Sequence, residues 1–170
     1  MNEDYRARLK KGAERYPEVR KHMRTWKKLK PKQLDPLFHQ AHREAFQEID
    51  CLQCANCCKT TSPIFRDVDI ERLAKHLRMK PGMLVEQHLH LDEEGHYVFN
   101  VAPCPFLGAD NYCNVYEHRP QACREYPHTD RKLMHQILDL TAMNTQVCPA
   151  AQSVVEKISN VLQDRSGRKH

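Results

Sequence analysis

Four of the chain's eight cysteines fall within eight residues, in the run Cys51-Leu-Gln-Cys54-Ala-Asn-Cys57-Cys58. Two-residue spacers let a tight turn bring successive thiolates onto one metal or cluster, with backbone amides free to donate to the sulfurs. An isolated cysteine is most often a small buried apolar side chain. That reading suits Cys148 taken alone, but not four thiols packed so densely. Cys104, Cys113, Cys123 and Cys148 complete the set, so any fold that uses all eight thiols at metal must bring distant segments back over residues 51–58. Neighbouring side chains are expected to diverge. Cys57 and Cys58 are therefore expected to ligate different metals, bridge two metals, or bind different irons of one cluster. Eight thiolates also match two four-coordinate sites, and spacing does not say which ligand joins which.

The compartment decides between metal and disulfides. The start, Met-Asn-Glu-Asp-Tyr-Arg, has no apolar segment of a secretory signal. No run approaches the ~18 apolar residues that span a bilayer. The expectation is a cytoplasmic protein that is not transmembrane. In a reducing cytosol an even set of eight cysteines points to metal ligation or redox chemistry rather than four disulfides. Aromatic residues make up only 7% of the chain, so the core must be modest and a bound metal would matter for stability as well as chemistry.

All-sulfur ligation suits an iron–sulfur cluster, a [4Fe-4S] centre included, and allows four-thiolate Zn2+. The C-x2-C-x2-C run resembles a bacterial ferredoxin motif, with Cys104-Pro105 and Cys148-Pro149 echoing its terminal Cys-Pro. The match fails at the fourth position, because Cys58 follows Cys57 immediately. A zinc ribbon would need a second C-x2-C pair, and none follows residue 58. The five glycines stand alone, which excludes a Gly-rich phosphate or dinucleotide loop.

Charge divides the chain. Residues 1–32 hold twelve Lys/Arg against four Asp/Glu, whereas the remainder holds fifteen against eighteen. A basic helical arm (1–32) is expected to precede a metal-binding domain (33–165) and a frayed tail (166–170). In the arm, Pro17 suits a first helical turn, and Val19, Met23 and Trp26 recur at helical spacing. Pro31 is expected to end it. Asp35-Pro36 reads as the cap and first residue of the next helix, with Leu37, Phe38, Ala41, Ala45, Phe46 and Ile49 along one face. Beyond the cysteine run, residues 62–66 suggest a short strand. Asp67 or Asp69 can cap a helix whose buried stripe is Ile70, Leu73, Ala74 and Leu77. A short helix is expected over 83–89, a strand over 96–101, and closing helices from about 130 and from 149. The fold class expected is mainly α with little β, a small helix-rich domain organised around a cysteine-ligated metal centre.

The later cysteines sit in a distinctive frame: Cys104-Pro-Phe-Leu107, then Cys113-x-Val-Tyr116-Glu117-x-Arg119-Pro120-x2-Cys123-Arg124-x-Tyr126-Pro127, then Cys148. With the opening run, this resembles the YkgJ-type, or CxxCxxCC, cysteine-cluster family over roughly residues 50–150. The resemblance implies a zinc- or iron-chelating domain in which all eight cysteines are candidate ligands, and it assigns no reaction. The same cysteine pattern is similar to that of the flagellin lysine methylase, which implies an iron–sulfur centre. This chain departs from the family in carrying Ala55 where glycine is common, so a non-glycine residue must fit the first turn.

Arg119 and Arg124 lie among the ligands. They are expected to bind the cofactor by hydrogen-bonding an anionic thiolate cluster, or to pair with Glu117 or Glu125 and hold the loop. Of the eleven histidines, His118 and His128 are the candidates for a metal role; the others, His39 and His42 among them, read as hydrogen-bonded or exposed. The basic arm reads first as a solvated helical face packed by its apolar stripe; the alternative is an anionic or protein partner, nucleic acid or a membrane surface included, with Trp26 as a stacking or interfacial residue. Redox, electron-transfer or sensing work at an iron–sulfur centre is the leading expectation. A zinc-stabilised interaction module is the alternative.

Overall fold

The structure, a computed structural model, describes residues 3–167, with side chains to 164. The end of the expected frayed tail, 168–170, lies outside the described residues. In chain order the elements are α1 (Glu3–Glu14), α2 (Tyr16–Trp26), α3 (Pro31–Glu48), α4 (Cys51–Cys54), α5 (Asn56–Thr60), α6 (Asp67–His76), α7 (Pro81–His88), β1 (Leu89–Leu91), β2 (Tyr97–Phe99), α8 (Gln121–Glu125), α9 (Leu138–Asn144) and α10 (Pro149–Gly167). Single 3-10 turns cover Tyr116–His118 and Met134–Gln136. Helix accounts for 63% of the chain and strand only for one two-stranded sheet, so the protein is mainly α with little β.

The chain forms two compact units. One joins the described residues up to Cys54 to those from Pro127 onward; the other spans Ala55–Tyr126. The first unit is a helical assembly in which α10 packs on α3, α2 on α9, and α1 on α10. The helical stripe of α2 is buried as its spacing predicts, with Val19, Met23 and Trp26 meeting Leu34, Phe38, Ala41 and Ala45 of α3 and Val154, Val155 and Ile158 of α10. Trp26 is only 3% exposed and sets its ring edge-on to Phe38, 6.1 Å between centroids. It is a core residue, as the packed apolar stripe predicts, and not the stacking or interfacial residue of the alternative reading. Gly12 is required where α1 meets the end of α9, since a Cβ there would lie 2.3 Å from the Thr145 carbonyl oxygen.

Two local expectations are corrected here. Pro31 does not end a helix but opens α3, where its missing N–H costs nothing. Asp35 and Pro36 therefore lie inside α3, and Asp35 instead accepts the backbone N–H groups of Leu133 and Met134 at 2.8 and 3.0 Å. The helix expected from about 130 is broken: a 3-10 turn at Met134–Gln136 precedes α9.

The second unit holds the sheet. β1 and β2 pair antiparallel with Leu89 opposite Phe99 and Leu91 opposite Tyr97. Phe65 contributes one isolated bridge, to Tyr97, in place of the short strand expected over 62–66. Its core is Phe65, Ile70, Leu73, Ala74, Leu84, Leu89, Phe99 and Val115, against which Cys104, Phe106 and Cys113 pack.

Candidate metal centre

No disulfide joins any of the eight cysteines. In the first unit, α4 carries Cys51 and Cys54 at its two ends. Asp50 starts this short helix by accepting the Leu52 N–H through its carboxylate at 2.8 Å, while the Tyr5 hydroxyl accepts the Asp50 N–H at 3.0 Å. Cys148 immediately precedes α10, and the N–H groups of Ala151 and Ala150 donate to its sulfur. Burial pushes its thiol up to about 12, and the negative charges of Cys51 and Cys54 add to the rise. These three thiols are thus electrostatic neighbours, and Cys148 lies at the start of α10, where the macrodipole favours an anion.

In the second unit the chain turns at Ala55, whose φ of 47° is left-handed, and enters α5 with Cys57 and Cys58. Their sulfurs are 4.0 Å apart. The two sulfurs thus do not diverge as expected; for comparison, a tetrahedral Zn–S shell of about 2.3 Å places its sulfurs about 3.8 Å apart. Cys104 is brought beside Cys58 by a backbone hydrogen bond from its N–H to the Cys58 carbonyl, 2.8 Å. Cys113 lies on the returning arm of a small loop closed by the Leu107–Cys113 bridge and by Asn114 N–H donating to Phe106 O at 2.9 Å. Cys123 sits in α8.

Amides reach these sulfurs as well: Phe106 and Leu107 donate to Cys104, and Val115 donates to Cys113. Burial pushes Cys123 up to about 12 and Cys104 up to about 11, and raises Cys113. Cys58 moves the other way, down to about 7, chiefly through its hydrogen bond with Cys57, with Arg119 and Lys59 adding positive charge against the cost of burial. Arg119 also lowers Cys113 and Cys123, so its guanidinium lies in electrostatic reach of three thiols.

Arg119 is itself held by two contacts. Its Nε donates to the Tyr116 carbonyl at 2.7 Å, and its guanidinium carbon lies 3.4 Å from the Tyr116 ring centroid. Arg124 donates to the carbonyls of Arg119 and Glu117 at 3.1 and 2.9 Å. It braces the loop through backbone oxygens rather than through the Glu117 carboxylate. His118 stacks on His76 with centroids 4.0 Å apart, and His128 takes a left-handed φ of 63°. His39 pairs with Asp130 and His42 with Thr129, the hydrogen-bonded roles expected of them.

The residue that sequence reading missed is Asp69. Its side chain is 1% exposed, and its Oδ1 accepts from Arg72 at 2.6 Å and from the Gln121 N–H at 3.2 Å. Arg72 also donates to the Arg119 carbonyl at 2.7 Å. Together they clamp residues 119–121, the segment between Arg119 and Cys123. The only signal in the sequence was Asp69's place in the first turn of α6, where it also accepts the Arg66 N–H at 3.3 Å.

A family model matches residues 50–149, which include all eight cysteines; its description is CxxCxxCC, "Putative zinc- or iron-chelating domain". The chain belongs to the CxxCxxCC family. No curated protein and no solved structure matches it. The donors of this CxxCxxCC domain fit a soft metal: they are thiols, several with amide donors to sulfur, and burial makes their charged form costly without a counter-cation. Among the described residues, no three His, Cys, Asp or Glu side chains are drawn together tightly enough to hold an ion as they stand. No helix among the described residues is long and apolar enough to cross a membrane.

Proposed function

We propose that the eight cysteines hold an iron–sulfur centre, and that the protein works as a cytoplasmic redox, electron-transfer or sensing protein. The observation that carries this reading is the gathering of Cys57, Cys58, Cys104, Cys113 and Cys123 in one unit, with N–H donors on the sulfurs and one guanidinium beside them. Five thiols exceed the needs of one tetrahedral ion. An anionic thiolate cluster is stabilised by such donors, which also set its reduction potential.

Within the first unit, Cys51, Cys54 and Cys148 would be thiolate donors in their own right. Each buried thiol gives up its proton on ligation, so metal uptake releases protons and is opposed by acid. When bound, an iron–sulfur centre would supply one-electron chemistry. Arg119 would hold positive charge against it, and Arg124, Asp69 and Arg72 would keep the Arg119–Cys123 segment in place.

A second reading, a zinc-stabilised interaction module, is favoured by the 4.0 Å separation of the Cys57 and Cys58 sulfurs. In that reading the metal is structural and the basic segment meets an anionic or protein partner.

Anaerobic purification, followed by iron, zinc and acid-labile sulfide analysis and an absorption spectrum, separates the two. Iron and sulfide with visible charge-transfer bands are expected. Zinc near stoichiometry with neither iron nor sulfide would sink the first reading.

A further inference from the structure

The first unit presents a basic face that none of the thiol chemistry uses. Residues 15–32 hold eight Lys/Arg against the single Glu18. On α2, Val19, Met23 and Trp26 are buried and Arg20, Lys21 and Arg24 are exposed, and exposed Lys27 and Lys28 follow at its C-terminal end. Glu18 is taken up by Arg15, with side-chain contacts at 3.1 and 3.3 Å.

The adjoining α9 packs against α2 and turns Asp139, Leu140 and Met143 outward. Asp139 is neutralised by Lys27 at 2.7 Å, with Arg20 and Arg24 close enough to hold its carboxyl further below the usual range. Next to this acid, Leu140 and Met143 are 39% and 49% exposed.

We infer that this face of α2 and α9 docks the protein on an anionic lipid bilayer. The inference deepens the anionic-partner part of the zinc reading and rests on that part alone. Cations in one helical stripe meet headgroup phosphates, and the two apolar side chains beside them enter the headgroup boundary. The same pair gains nothing from the phosphate backbone of a nucleic acid. Trp26, the indole that would stack best on bases, is also buried.

The test is co-sedimentation of the metal-loaded full chain with phosphatidylcholine vesicles, with and without phosphatidylglycerol, across a salt series. Binding is expected only with phosphatidylglycerol and should weaken as salt rises. The double variant Arg24→Glu/Lys28→Glu should lose at least about tenfold in affinity, since each cation near the surface is worth roughly fivefold. Leu140→Ser/Met143→Ser should weaken binding without changing its salt slope. Metal content is measured on every preparation, so vesicle binding lost with metal retained reports on the face and leaves the metal reading untouched.

Wild-type protein that ignores anionic vesicles at low salt overturns the inference. So does a charge-reversal variant that binds as wild type. Tighter binding to single-stranded RNA or duplex DNA than to vesicles, indifferent to Leu140 and Met143, overturns it in favour of a nucleic-acid face.

Discussion

Ala55 is a buried alanine held at φ 47° between the two halves of the cysteine run. A Cβ in the left-handed region costs about 1–2 kcal/mol, and glycine escapes that cost at some loss of unfolded-state entropy. Ala55→Gly is therefore expected to stabilise the protein by about 1 kcal/mol, read from chemical denaturation of the metal-loaded form. Ala55→Val should do the reverse, because a β-branched side chain is least at ease there. A loss of stability in the glycine variant would mean that the methyl's packing outweighs its strain. The thiols on either side are tested separately. Cys54→Ala and Cys57→Ala are each expected to lose metal and folding, followed by metal stoichiometry and circular dichroism. Full metal content and unchanged stability in both would remove them from the ligand set.

At the level of elements, α6 and α8 are joined by one buried carboxylate. Burial alone would raise Asp69, but hydrogen bonds from Arg72, Arg66 and the Gln121 N–H outweigh it and hold its carboxyl below the ordinary range. A carboxylate with a depressed folded pKa contributes stability above its unfolded pKa of about 4 and loses it as pH falls through the folded value. Asp69→Asn is expected to cost about 2 kcal/mol near neutrality, since it leaves Arg72 short of its anion. The gap between wild type and variant should narrow below about pH 4, as urea titrations over pH would show. Arg119 and Cys123 flank the segment that this clamp holds. The variant's metal affinity should fall as well, and an unaltered affinity would make Asp69 a matter of stability alone.

On the scale of the whole molecule, each unit has its own apolar cluster, and the two differ in size. Among the described residues, thirteen buried ones make up the first, with Trp26 among them, whereas eight make up the second. A core that small in a unit spanning 55–126 buries little apolar surface, so its five cysteines are where a bound metal would contribute most to folding. Chelation under reducing conditions is expected to raise hydrogen exchange across 55–126 while Trp26 keeps its buried fluorescence. Uniform exchange in both units, or no change in either, would count against that division.

The sequence alone was enough for the metal-chelating family and the helical class, because both are written in local spacing. Eight thiols in a fixed frame admit few readings, and the stripes Val19-Met23-Trp26 and Ile70-Leu73-Ala74 lie buried where a 3.6-residue period puts them. The turn at Ala55 was legible too, as a place that asks for glycine. Other features depended on partners far along the chain. Asp35 looked like a cap until Leu133 and Met134 claimed it, ninety-eight and ninety-nine residues away. Neighbouring positions on a helix do not face each other, so the 4.0 Å between the Cys57 and Cys58 sulfurs was not legible in spacing, and Asp69 acquired its second role only when residues 119–121 came to rest on it. Spacing encodes which residues can act together within a turn or two of chain; which distant carbonyls, cations and thiols they meet is decided by packing, and only the folded molecule contains it.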